Sequence, residues 1–211
     1  MAGNSVFESI RKKSEGFFGH SHHGKDHAER VYNLAVKIGK EENADLDVLK
    51  AAALLHDIAR TMEDEGKVED HAVEGAKIAR KILEETGFPA QKVEEVVYCV
   101  EAHRFRKGSE AGSLEAKILQ DADRLDATGA IGLARVFARG GWANLPMHDP
   151  SIPPKGEYDG RSLTSINHLY EKILKAKEAM NTRTAKSIAE GRHKFVEEFL
   201  GRFLKEWNGE L

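Results

Sequence analysis

His56 and Asp57 stand side by side at the end of an almost unbroken apolar run, Val48-Leu49-Lys50-Ala51-Ala52-Ala53-Leu54-Leu55. The run reads as a buried helix, and an ionised carboxylate buried there is costly without a partner. A divalent metal ion suits an adjacent imidazole and carboxylate, because both offer lone pairs to it. The dipeptide alone is weak evidence. A second one, His148-Asp149, falls in a proline-rich stretch and is assigned no role. What matters is whether other helices aim matching groups at the same place.

The spacing says that they do. His27 lies four residues before Val31 and seven before Leu34. His56 follows Ala52 by four and Leu49 by seven, and Asp57 follows Ala53 by four. His71 precedes Gly75, Ile78 and Ile82 by four, seven and eleven; His103 follows Val96 by seven and Val100 by three; Asp123 follows Leu119 by four. Residues three, four or seven apart share a helix face, so each of these groups extends a buried stripe. Buried imidazoles and carboxylates need partners, and one shared cation satisfies several together. Two imidazoles with two carboxylates suit Mn, Fe, Co, Ni or Zn, and with water also Mg. Four protein ligands on an octahedral ion leave positions open for water and substrate, as a reactive site requires.

The elements that must position these groups are helical almost throughout, with no convincing alternating strand. Helices are expected at 4–18, over about nineteen residues beyond Gly24, at Leu46 to Ala59, at His71 to Glu85, and at 90–104. Further helices are expected at 113–128, with Ser113 as N-cap, at 131–138, at 162–180 and at 183–207. A polar turn, Lys107-Gly108-Ser109, precedes the Ser113 helix. Residues 140–161 hold four of the five prolines and read as a long loop, either a lid or a disordered excursion. The last helix carries Phe195, Phe199, Phe203 and Trp207, an aromatic stripe expected to pack, with any exposed remainder favouring a homodimer. The expected architecture is all-α: one domain over 1–211, a bundle of eight to nine helices with the metal site in its core. Its parts are a core at about 20–138, the loop at 140–161 and the C-terminal helices at 162–207.

Bulk properties exclude other classes. A net charge of -3 argues against binding duplex nucleic acid, which calls for a basic field. No apolar run reaches membrane-spanning length, and no signal-peptide core is present, so a cytoplasmic protein is expected. The single cysteine, Cys99, lies among Val96, Val97 and Val100 and reads as a buried, inert thiol.

The ordered set H…HD…D occurs in Asp26-His27-Ala28-Glu29-Arg30-Val31, Leu55-His56-Asp57-Ile58 and Asp121-Ala122-Asp123-Arg124-Leu125-Asp126. It resembles the HD superfamily of metal-dependent phosphohydrolases, all-helical enzymes that cleave phosphoester bonds. His71 with Gly75, Glu101-Ala102-His103-Arg104, Gly129-Ala130-Ile131-Gly132-Leu133-Ala134-Arg135 and Ala189-Glu190-Gly191-Arg192-His193-Lys194-Phe195 extend the likeness to a largely uncharacterised prokaryotic branch. The resemblance implies His27, His56, Asp57 and Asp123 as metal ligands, with Asp121 as competitor for the last place. Asp126 and His23 are implied as supporting or alternative ligands, although Gly24 stands where relatives carry an Asp after His23. A second metal would use His71 and His103. Arg104 replaces a histidine common in two-metal members, so one site is favoured.

The implied reaction is hydrolysis of a phosphoester, such as a nucleotide, by a metal-activated water. His71 and His103 are expected as general acid or as groups that orient the water. Arg60, Arg104 and Arg124 are expected to bind phosphate oxygens, each with a structural ion pair as the alternative. His20, His22 and His23 read as a polar loop leading into the second helix, and Glu63-Asp64-Glu65 as a solvated turn. Two other functions are consistent with the pattern: a metal- and nucleotide-binding sensor without catalysis, and an HD-like di-iron oxygenase, which needs a complete two-metal ligand set.

Overall fold

The computed structural model describes residues 3–18, 24–104 and 111–211. No strand occurs among them. His20, His22, His23 and the Lys107-Gly108-Ser109 turn lie outside the described residues. By Cα packing the chain divides into two compact units, residues 1–123 and 124–211.

The first unit is organised around its most apolar helix. We number the helices α1 (Asn4–Ser14), α2 (Lys25–Glu42), α3 (Leu46–Leu55), α4 (Arg60–Asp64), α5 (His71–Glu85), α6 (Ala90–Ala102) and α7 (Leu114–Asp126). In α3 Val48, Leu49 and Ala51 to Leu55 are all buried, which leaves no solvent face over most of its length. It therefore packs on several sides, against α1, α2 and α6, while α5 lies along α6. Asp45 starts α3 by accepting hydrogen bonds from the backbone N–H groups of Asp47 and Val48. Asp70 starts α5 in the same way through Ala72 and Val73. Ser113 caps α7, accepting from Ala116 N–H at 3.1 Å, as its sequence position suggests. Gly39 lets α2 and α3 approach closely, since a Cβ there would fall 2.3 Å from Leu49 Cδ1.

The expected helix from Leu46 to Ala59 is broken at the His-Asp pair. It ends at Leu55, and the chain turns through His56–Ala59 before α4 begins. Here the His56 ring takes the Ala53 carbonyl at 2.8 Å. The next main-chain bonds are tighter three-residue ones, Ile58 N–H to Leu55 O and Arg60 N–H to Asp57 O.

The second unit takes up the C-terminal end of α7 with α8 (Gly129–Trp142), α9 (Ser165–His168) and α10 (Arg183–Trp207). Its core is Leu133, Ile166, Leu169, Ile173, Val196 and Leu200, with Phe199 and Phe203 packed against it. The other two members of the aromatic stripe, Phe195 and Trp207, are exposed. Two expectations need correction. Gly140 and Gly141 do not end α8; Gly140 instead lets Ser165 approach, because a Cβ there would lie 2.3 Å from Ser165 Oγ. The helix expected over 162–180 is interrupted: Thr164 caps its start, and after α9 follow a π turn (Leu169–Ile173) and a 3-10 turn (Ala176–Ala179). The widened turn accompanies the burial of Leu169, Glu171 and Ile173 at every second position.

The segment between α8 and α9 is pinned by its own bonds. Pro146 and Met147 carbonyls accept from Ser165 and Ile166 N–H at 3.1 and 2.9 Å, and Asn167 donates to Ile152 O at 3.0 Å. Buried Glu171 accepts Lys155 N–H at 2.9 Å and the Ser162 hydroxyl. His148 packs its ring on Trp207 and Asp149 accepts from Ser151, so the second His-Asp pair serves local structure. Among the described residues no helix is long and apolar enough to cross a membrane.

Candidate metal centre

Four buried imidazoles in the first unit surround one carboxylate. His27 enters from the first turn of α2, His56 and Asp57 from the break after α3, His71 from the first residue of α5, and His103 from the end of α6. Asp57 Oδ2 lies 3.5 Å from His27 Nε2 and 3.7 Å from His56 Nε2. Asp57 Oδ1 lies 3.3 Å from His71 Nε2 and 3.5 Å from His103 Nε2. The two oxygens thus divide the histidines into two pairs. Within each pair the Nε2 atoms face each other, at 3.2 Å for His27 and His56 and 3.3 Å for His71 and His103.

The tautomers can be assigned from their partners. A carbonyl only accepts, so His56 Nδ1 donates to Ala53 O at 2.8 Å and His103 Nδ1 donates to Val100 O at 2.6 Å. Glu63, held down to about 2 by His71 and Arg104 against the effect of burial, is ionised and accepts from His71 Nδ1 at 2.7 Å. In the neutral ring each of these histidines therefore turns an Nε2 lone pair toward Asp57. Facing lone pairs around a carboxylate repel unless a cation or a proton lies among them. Burial pushes His56 down to about 4, which keeps it neutral. Burial also works against a charged His103, but Asp57 and the Val100 carbonyl outweigh it and hold that imidazole above its ordinary value.

Donors about 2.1 Å from a common ion stand about 3.0–3.4 Å apart in octahedral or tetrahedral geometry. The observed spacings, 3.2–3.7 Å, are close to that range. His27, His56 and Asp57 form one group able to hold a metal, and Asp57, His71 and His103 form another. The C-terminal ends of α3 and α6 carry His56 and His103, and the negative ends of their helix dipoles also favour a cation.

The remaining sequence candidates are placed as follows. Asp123 Oδ1 lies 3.3 Å from His27 Nε2 with the side chain 33% exposed, so it stands on the open side of the first group. His27, with a smaller contribution from His56, holds the Asp123 carboxyl well below its usual range. Asp121 is fully buried. Asp126 pairs with Arg135 at 2.5 Å within the second unit. Arg60 donates to Asp64 at 3.0 Å, Arg124 donates to the Ala179 carbonyl at 2.7 Å, and Arg104 pairs with Glu63 at 3.0 Å while 40% exposed. Glu63 is the residue that the sequence reading missed. It is not part of a solvated turn, being 18% exposed and bonded to His71 and Arg104. Periodicity gave no signal for it, because the chain turns through His56–Ala59 between α3 and α4.

Comparison with known proteins identifies the family. The HD domain family model matches residues 24–128. The uncharacterized protein YpgQ of Bacillus subtilis is 34% identical over 90% of this chain and 86% of its own length. Its crystal structure in complex with ADP is similar with a TM-score of 0.73 at 31% identity, covering 95% of this chain and 96% of that one. The crystal structure of an HD-superfamily hydrolase from Bacillus thuringiensis gives a TM-score of 0.78 at 37% identity, with 96% of each chain covered. A ribonuclease Y from Lawsonia intracellularis is 33% identical over 64% of this chain, which spans only 24% of that protein. With its order of histidines and aspartates, its all-helical fold and relatives matched over nearly their full length, this chain belongs to the HD superfamily.

Proposed function

We propose that this protein is a metal-dependent phosphohydrolase acting on a phosphoester of a nucleotide or a similar small molecule. The observation that carries the reading is Asp57, whose two carboxylate oxygens each face a pair of buried imidazoles, three of which (His56, His71 and His103) turn an Nε2 lone pair toward it. In this reading His27, His56, Asp57 and Asp123 hold a divalent ion. When bound, such an ion acidifies a coordinated water and draws charge from a phosphoryl oxygen. His71 and His103 orient the water or move its proton. Equally, with Asp57 they offer the ligands of a second ion, a set more complete than the sequence alone suggested. Arg104, partly exposed and held by Glu63 beside His71, is the cation we assign to the substrate phosphate, whereas Arg60 pairs with Asp64 and Arg124 with the Ala179 carbonyl. The ADP complex of YpgQ supports a nucleotide as the substrate class.

The test is metal analysis of the purified protein, then a phosphatase and phosphodiesterase panel with added Mn, Mg, Co or Ni. Product release that depends on metal and disappears in Asp57→Ala is expected. Tight nucleotide binding with no turnover under any metal would favour the sensor instead. Oxygen consumption dependent on two irons would favour the oxygenase.

A further inference from the structure

His71 is oriented differently from its neighbours. His56 and His103 close the C-terminal ends of α3 and α6, where helix carbonyls are exposed, and each ring uses the carbonyl three residues back. His71 is the first residue of α5, where the main chain presents N–H groups instead. No carbonyl of its own helix can hold the ring. The acceptor comes from α4: Glu63 Oε2 takes the His71 Nδ1–H at 2.7 Å and, on the same oxygen, the His71 backbone N–H at 2.7 Å. Two donors from one residue on one atom lock the ring to the main chain. Arg104 donates to that oxygen as well, at 3.0 Å.

We infer that Glu63 is a positioning residue that holds His71 in the Nδ1–H tautomer and so aims its Nε2 lone pair at Asp57. The inference deepens the metal-dependent reading above and rests on it. A carboxylate does this more strongly than a carbonyl, because a charged acceptor makes the stronger hydrogen bond.

Two measurements test the inference, and neither uses catalysis. Histidine tautomers are read by 15N NMR on the metal-free protein, and Mn2+ affinity by calorimetric titration. In Glu63→Gln the His71 backbone N–H still requires an oxygen at that place, so the Nδ1–H tautomer persists and affinity falls less than about 10-fold. In Glu63→Ala the tautomer shifts toward Nε2–H and affinity falls about 10–100-fold. Adding His71→Ala to Glu63→Ala gives little further loss, because both act through one group. An unchanged tautomer and affinity in Glu63→Ala would overturn the inference, as would additive losses in the double variant. Loss of the Nδ1–H tautomer in a folded Glu63→Gln protein would do the same. If both readouts behave as expected while no phosphoester is cleaved, the proposed function fails and the role of Glu63 stands.

Discussion

His56 and His103 close different helices, yet each donates its Nδ1–H to the carbonyl three residues before it, at 2.8 and 2.6 Å. The main chain thus sets both rings, and two helix C-termini converge on one carboxylate. Negative helix ends, lone pairs and Asp57 all favour a cation at this place. Metal should therefore stabilise the fold. At free ion about 100 times Kd the gain is about 2.7 kcal/mol, or about 5–10 °C in Tm. Thermal denaturation with and without chelator measures it; equal Tm values would count against the centre.

Asp57 joins both groups of histidines, so its loss should be felt by each. Asp57→Asn keeps the shape but gives one oxygen and one NH2 in place of two acceptors. Metal content after purification is expected to fall at least about 100-fold, more than removal of an outer partner causes. Elemental analysis of the folded variant checks this.

Gly132 faces the carbonyl of Ala127, where an added Cβ would lie 2.2 Å from the oxygen. Gly132→Ala should destabilise the second unit by about 2 kcal/mol. Gly191 in α10 meets nothing within 4 Å, so Gly191→Ala should stabilise by about 0.5–1 kcal/mol. Urea midpoints moving in opposite directions would bear out both expectations.

Cys99 is fully buried in α6, and burial pushes its thiol up to about 12. The native protein should not react with Ellman's reagent at pH 8 and should release one equivalent of thiolate product after denaturation. Rapid labelling of the folded state would contradict the packing of α6.

His168 donates its Nδ1–H toward Ser162, whose hydroxyl is given to Glu171, and burial pushes the ring down to about 4. A histidine kept neutral in the fold but titrating near 6.5 when unfolded binds protons preferentially in the unfolded state. Its contribution to stability is therefore present above pH 6.5 and is lost as pH falls toward 4. Comparing urea unfolding of wild type and His168→Gln across that range isolates the effect: the variant should lose less stability on acidification.

Much of the centre could be read from residue order. Helix periodicity forces His27, His56, Asp57, His71, His103 and Asp123 onto buried stripes, because residues three, four or seven apart share a face whatever the fold. The apolar run of α3 fixed that helix as central for the same local reason, and Ser113 was recognisable as a cap. The tertiary structure decided the matters that depend on chain segments distant from one another. It broke the helix at His56 through a ring-to-carbonyl bond, gave Asp57 a pair of imidazoles on each oxygen, and turned Glu63 from an apparent surface acid into the partner of His71. Periodicity reports which face a side chain shares, whereas direction, tautomer and partner arise only when helices remote in sequence pack together.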